Sequence, residues 1–121
     1  MEDRYLFKAK HFEEWHIGNI VKEPDGLYIR DIKENVMAYI DDESTICQCT
    51  GLKDKNGKLI WENDVVKINN SKVNVLITFR DFEIICTIPN EKYYKHRLEY
   101  DTEYEVVGNI FDNPKLLESK E

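Results

Sequence analysis

Apolar residues along this chain recur at every second position far more often than at every third or fourth, which is the period of strands and not of helices. The clearest run is Val73, Val75, Ile77 and Phe79, on one face of an extended segment, with Asn74 and Thr78 opposite beside Leu76. That alternation predicts a half-buried strand. Residues 65–68 precede it across Asn69-Asn70-Ser71, whose types tolerate turn conformations, and residues 82–88 follow Arg80-Asp81. Three successive antiparallel strands are the simplest expectation.

Upstream, Asn56-Gly57 lies between Leu52 and Leu59-Ile60, and this dipeptide is the one best suited to the positive φ angles of a type I′ hairpin turn. Trp61, just before Glu62-Asn63-Asp64, reads as a core anchor over the corner where the chain turns again. Residues 104–111 are strand-like once more. Asp112-Asn113-Pro114-Lys115-Leu116-Leu117 then supplies a cap, a proline suited to the first helical position and two leucines, so a short terminal helix or helical turn is expected before polar residues 118–121.

In the N-terminal third, Tyr5, Phe7 and Ala9 alternate with Leu6, Lys8 and Lys10, and residues 15–21 suggest a second strand. Pro24-Asp25-Gly26 marks a turn before Leu27-Tyr28-Ile29, which together make a small meander. Residues 31–42 are ambiguous. The acidic run Asp41-Asp42-Glu43-Ser44 reads as a connector, so a single domain of residues 1–121 would divide, if anywhere, into a β segment over 1–44 and a second part over 45–121. Gly-Asn-Ile occurs at 18–20 and again at 108–110, but nothing on either side aligns, so no internal repeat is implied.

Composition narrows the class. A chain of 121 residues with 41% hydrophobic and 34% charged residues has enough apolar material for one core and a well-solvated exterior. No apolar run approaches the roughly 18 residues of a membrane span, and the first residues lack the pattern of a secretory signal, so a cytoplasmic protein with no membrane partner is expected. Three cysteines, Cys47, Cys49 and Cys86, are then expected as reduced thiols, the first two as small apolar filling on one strand face. A net charge of −7 repels phosphate backbones and disfavours general nucleic-acid binding.

Candidate chemistry is sparse. The sequence has no nucleophile elbow, no phosphate-cradling glycine loop and no His-Glu-x-x-His signature. Cys47-x-Cys49 lacks zinc-knuckle spacing, and His11, His16 and His96 are scattered, so no metal and no cofactor are expected. Glu62 with Asp64, and Asp81 with Glu83, stand two residues apart where strand side chains share a face; acidic residues flanking turns are usually hydrated, and no nucleophile accompanies them. The run from Glu99 to Glu105 reads as a solvated acidic edge. One basic and aromatic cluster stands out for recognition, Lys92, Tyr93, Tyr94, Lys95 and Arg97 around His96, against the plainer reading of a loop whose cations balance that edge.

Several segments together resemble the YopX family of bacteriophage and prophage proteins. They are Thr50-Gly51-Leu52-Lys53-Asp54-Lys55-Asn56-Gly57-Lys58, Trp61-Glu62-Asn63-Asp64-Val65-Val66-Lys67, Glu105-Val106-Val107-Gly108-Asn109-Ile110 and Asn113-Pro114-Lys115-Leu116-Leu117. Phe7-Lys8-Ala9-Lys10, Trp15-His16-Ile17-Gly18 and Glu43-Ser44-Thr45 through Gln48 are similar to the family's N-terminal part. Two departures are visible: Asn63 stands where the family often has Gly, and Ala9 where a Gly is common; Asn tolerates the left-handed conformation, so the first turn is expected to survive. The resemblance implies a mainly β chain, an N-terminal β meander followed by a part similar to an SH3-like barrel, with a tendency to self-associate and no known chemistry.

The motif residues Trp15, Gly18, Gly51, Asn56, Gly57, Trp61, Asp64, Gly108 and Pro114 are each explained by turn or packing physics, so a structural role is expected for all of them. The leading expectation is a non-enzymatic binding or assembly module acting through protein–protein contacts in a bacterial host cell, as a homo-oligomer or with a host or phage protein. The alternative is a weak nucleic-acid-binding protein that uses the 92–97 cluster. A carboxylate-based enzyme ranks behind both.

Overall fold

The computed structural model describes residues 5–80, 83–87, 96–97 and 102–117. Eleven antiparallel strands account for most of them, and the helical pieces are short 3-10 turns. The chain forms two compact units, residues 1–49 and 50–121, with the division inside strand β5 (Cys47–Lys53), beyond the acidic connector that composition singled out.

The N-terminal unit is the expected meander. Strands β1 (Phe7–His11), β2 (Glu14–Glu23), β3 (Gly26–Asp31) and β4 (Met37–Tyr39) lie in the order β4-β3-β2-β1, and β5 pairs with β1. The ambiguous stretch after Asp31 is a tight turn with Asn35 in the left-handed region (φ 55), followed by β4. The connector holds a single 3-10 turn, Glu43–Thr45, capped by the Asp42 carboxylate, which accepts the Ser44 N–H at 3.0 Å. Ala9, Ile29, Ala38 and Ile40 form the core, backed by Ile20, Leu27 and Ile46. Ala9 is fully buried opposite His16, so a small side chain is what this crowded position requires.

In the C-terminal unit, β7 (Asp64–Ile68), β8 (Val75–Arg80) and β9 (Glu83–Thr87) are the three antiparallel strands read from the period-2 pattern. With β10 (His96–Arg97) and β11 (Tyr104–Asn109) they make a sheet in the order β10-β9-β8-β7-β11 over a core of Ile60, Val66, Val75, Ile77, Cys86 and Tyr104. Val73 departs from the expected face: it is 47% exposed and precedes β8, because Asn69 and Asn70 at φ 49 and 63 extend the turn and Ser71 Oγ accepts the Val73 N–H.

Among the described residues the strands form two open antiparallel sheets and no closed barrel. Strand β6 (Leu59–Trp61) pairs with β5, while β7 is flanked on both sides by β8 and β11. The hairpin before it also differs in detail from a type I′ turn. The Gly57 N–H donates to the Asp54 carbonyl and the Asp54 N–H to the Lys58 carbonyl, with Gly57 at φ 83 and Asn56 outside the left-handed region. This is the pattern of a three-residue loop closed by a glycine bulge. Asn63 takes φ 72, so the turn survives the loss of Gly as expected.

The terminal helix is one 3-10 turn, Pro114–Leu117, packed over β11. A Cβ built on Gly108 would sit 2.5 Å from Asn113 Oδ1 and 2.6 Å from Leu116 Cδ1, which ties that glycine to the Asn-Pro-Lys-Leu-Leu segment following it. The bulge between Val106 and Gly108 is the register slip that fits the strand beneath the turn. Among the described residues, no helix is long and apolar enough to cross a membrane.

Candidate functional site

Of the cluster chosen for recognition, Lys92, Tyr93, Tyr94 and Lys95 lie outside the described residues, and Arg97 is placed only as backbone in β10 opposite Ile85. Asp81 of the second carboxylate pair also lies outside them, as do Glu99, Tyr100 and Asp101 at the start of the acidic run. In the first pair, Asp64 is 3% exposed and accepts the Trp61 N–H at 2.8 Å, closing the corner at which buried Trp61 anchors the chain.

Two more buried carboxylates organise backbone in the same way. Asp54 takes the N–H groups of Asn56 and Lys58 on Oδ1, both at 2.9 Å, and that of Val106 on Oδ2 at 2.9 Å, joining the hairpin loop to β11. Burial disfavours its ionised form, yet the N–H groups of Val106, Lys58 and Asn56 outweigh that cost and hold the carboxyl below the usual range. Asp31, at the end of β3, takes the N–H groups of Lys33 and Glu34 on Oδ1 at 2.8 and 2.9 Å and faces the His16 ring with Oδ2. The Glu34 N–H, aided by His16 and Lys33, lowers its pKa against the opposing effect of burial.

His16 is the centre of a polar cluster near the start of β2, beside the β1–β2 turn. Its Nδ1 lies 2.9 Å from Asp31 Oδ2 and 4.0 Å from Glu34 Oε1, and its Nε2 lies 4.0 Å from Glu14 Oε2. Gly18, opposite Asp31 in the β2–β3 ladder, lies so close to β3 that a Cβ there would run into the Arg30 carbonyl. His11 is close by, its ring centroid 6.4 Å from that of His16 and its Nδ1 2.8 Å from the Tyr39 carbonyl oxygen. Two of the three histidines that look scattered in the sequence, His11 and His16, thus meet at one end of a sheet. The cysteines behave as filling: all three are buried free thiols, and burial pushes Cys86 up to about 12.

The other face of this sheet carries a different chemistry. The cross-strand pairs Lys8–Ile17, Lys10–Trp15, Asn19–Arg30, Val21–Tyr28, Tyr28–Tyr39 and Arg30–Met37 all project away from Ala9, His16 and Ile29, because strand side chains alternate in direction. Lys8 Nζ and Lys10 Nζ lie 4.5 and 5.1 Å from the Trp15 ring centroid, and the Tyr28 and Tyr39 rings meet edge-on at 5.4 Å. Ile17, Met37 and Tyr39 are exposed. A linear search misses this face because its residues come from four strands and alternate with core positions. In the sequence Trp15 stands out only as a motif residue with an expected structural role.

The sequence matches the family described as YopX protein over residues 19–118. The chain belongs to that family. No curated protein matches it.

Proposed function

We propose that this YopX-family chain is a non-enzymatic binding or assembly module that acts through protein–protein contacts, with the outer face of the N-terminal sheet as its recognition surface. The observation that supports this reading is the convergence of Trp15, Tyr28, Tyr39, Arg30 and Met37, residue types that concentrate binding energy at interfaces, on a rigid strand platform. Each cation over the Trp15 ring contributes about 0.5–1 kcal/mol at an exposed site, which holds the lysines and the indole in place before a partner arrives. The chemistry that fits is a protein surface offering carboxylates to Lys8, Lys10 and Arg30 around an apolar centre for Ile17, Met37 and the aromatic rings.

A phage or host protein in the bacterial cytoplasm is the partner this reading calls for. The net charge of −7 works against nucleic acid as the occupant. The buried carboxylates Asp54 and Asp64 serve backbone N–H groups at turns. Self-association through the edge strand β4 belongs to the same reading, and a monomer by light scattering at micromolar concentration would remove that part.

The test is an affinity capture from bacterial lysate with the intact chain and with a Lys10→Glu, Arg30→Glu, Tyr39→Ala variant, each with and without nuclease. One protein retained by the intact chain in both conditions and lost by the variant is the expected result. Capture that disappears with nuclease, or that survives the triple substitution, overturns the assignment.

A further inference from the structure

We propose that His16, Asp31 and Glu34 form a binding site for a divalent first-row cation of the zinc type. The inference goes beyond the recognition role: the cluster lies on the opposite face of the sheet from Trp15 and Tyr28, and neither claim depends on the other.

The donor set is one imidazole nitrogen and two carboxylate oxygens whose ligand atoms all fall within 4.8 Å of one another. Ligands held about 2.0–2.1 Å from a tetrahedral zinc ion stand roughly 3.3 Å apart. The 2.9 Å from His16 Nδ1 to Asp31 Oδ2 and the 4.0 Å from Nδ1 to Glu34 Oε1 bracket that spacing, so small side-chain movements bring all three onto one ion. Two of the donors are fixed and the third is adjustable. The His16 and Asp31 side chains are 9% and 10% exposed, while that of Glu34 is 64% exposed and free to close over an incoming cation from solvent.

The surroundings orient these donors as metal ligands are oriented elsewhere. Asp31 Oδ1 is held by two backbone N–H groups, which aims Oδ2 at the imidazole. Once Nδ1 coordinates, the proton resides on Nε2, the nitrogen that faces Glu14 Oε2 at 4.0 Å; a carboxylate–histidine–metal relay then needs only a modest approach of an exposed side chain. The imidazole nitrogen selects zinc, cobalt or nickel over calcium and magnesium, which require more oxygen donors than this cluster offers. Open coordination positions would be filled by water on the Glu34 side.

The test uses the full chain after treatment with a chelator, titrated with zinc chloride by calorimetry and with cobalt chloride by visible absorption. One ion per chain is expected, with cobalt bands of nitrogen and oxygen coordination and without the near-ultraviolet thiolate bands that Cys47, Cys49 or Cys86 would produce. Glu34→Gln, an exposed change, is expected to leave the urea midpoint of the metal-free protein unchanged and to weaken zinc at least about tenfold. His16→Asn, which keeps a polar group towards Asp31, is expected to abolish the cobalt bands. Absence of saturable binding by the unaltered chain, thiolate bands, or undiminished affinity in Glu34→Gln would each overturn the assignment, and the Glu34→Gln arm decides the matter if His16→Asn fails to fold.

Discussion

Replacing Asp54 by Asn removes one charge and almost no volume, yet Asp54 is 7% exposed and accepts three backbone N–H groups. The amide oxygen of Asn can serve Asn56 and Lys58 or Val106, but not both sides; the NH2 group then confronts a buried donor. An unsatisfied buried donor costs about 1–3 kcal/mol, and the remaining bonds lose their charge assistance. A loss of about 2–3 kcal/mol at neutral pH follows, equivalent to a fall in Tm of roughly 8–12 °C for a chain of this size.

Urea unfolding of both proteins from pH 7 downward provides the assay. The Asp54 pKa is lowered on folding, so its contribution is complete above the unfolded value near 3.9 and is lost as pH falls through the lower folded value. Protonated Asp54 resembles Asn in donor pattern, so the stability gap between the two proteins closes in acid. A gap under about 0.5 kcal/mol at neutral pH, or one that persists unchanged below the folded pKa, refutes the reasoning.

Three further outcomes are expected. Gly108→Ala forces a methyl group against Asn113 and Leu116 and destabilises by about 1–3 kcal/mol, measured by urea midpoint, with the shift reduced in a Leu116→Ala background. Asn63→Gly is neutral within about 0.5 kcal/mol, whereas Asn63→Ala, forced to φ 72, costs about 1–2 kcal/mol by the same measurement. Cys47, Cys49 and Cys86 are silent to a thiol reagent at pH 8 in the folded protein and react together on unfolding, because the Cys86 thiol is held protonated and all three are shielded; fast labelling of the native chain would contradict their burial.

Local patterns in the sequence determined most of the elements. Alternation marked β7, β8 and β9, Pro24-Asp25-Gly26 marked the β2–β3 turn, and Asn63 kept its turn because a short polar side chain tolerates positive φ. These signals are local and need no partner. Val73 shows their limit, since alternation cannot say where the Asn69-Asn70 turn releases the chain into a strand.

What only the tertiary structure decided is which strand lies beside which. Strand β6 joins the N-terminal sheet beside β5 while β7 to β11 form a second sheet, and no residue of β6 signals that choice on its own. Pairing β2 with β3 across Gly18 brings His16 to Asp31 and Glu34 from far along the chain, and the same ladders gather Trp15, Arg30, Tyr39 and Met37 on one face. The sequence alone determined the period and the place of several turns, though not the type of the Asn56-Gly57 turn or the extent of the Asn69-Asn70 turn, because period and turn positions follow from each residue's own backbone preferences. The polar cluster and the proposed recognition face depend on register, which is fixed by burying Ala9, Ile29 and Ala38 together.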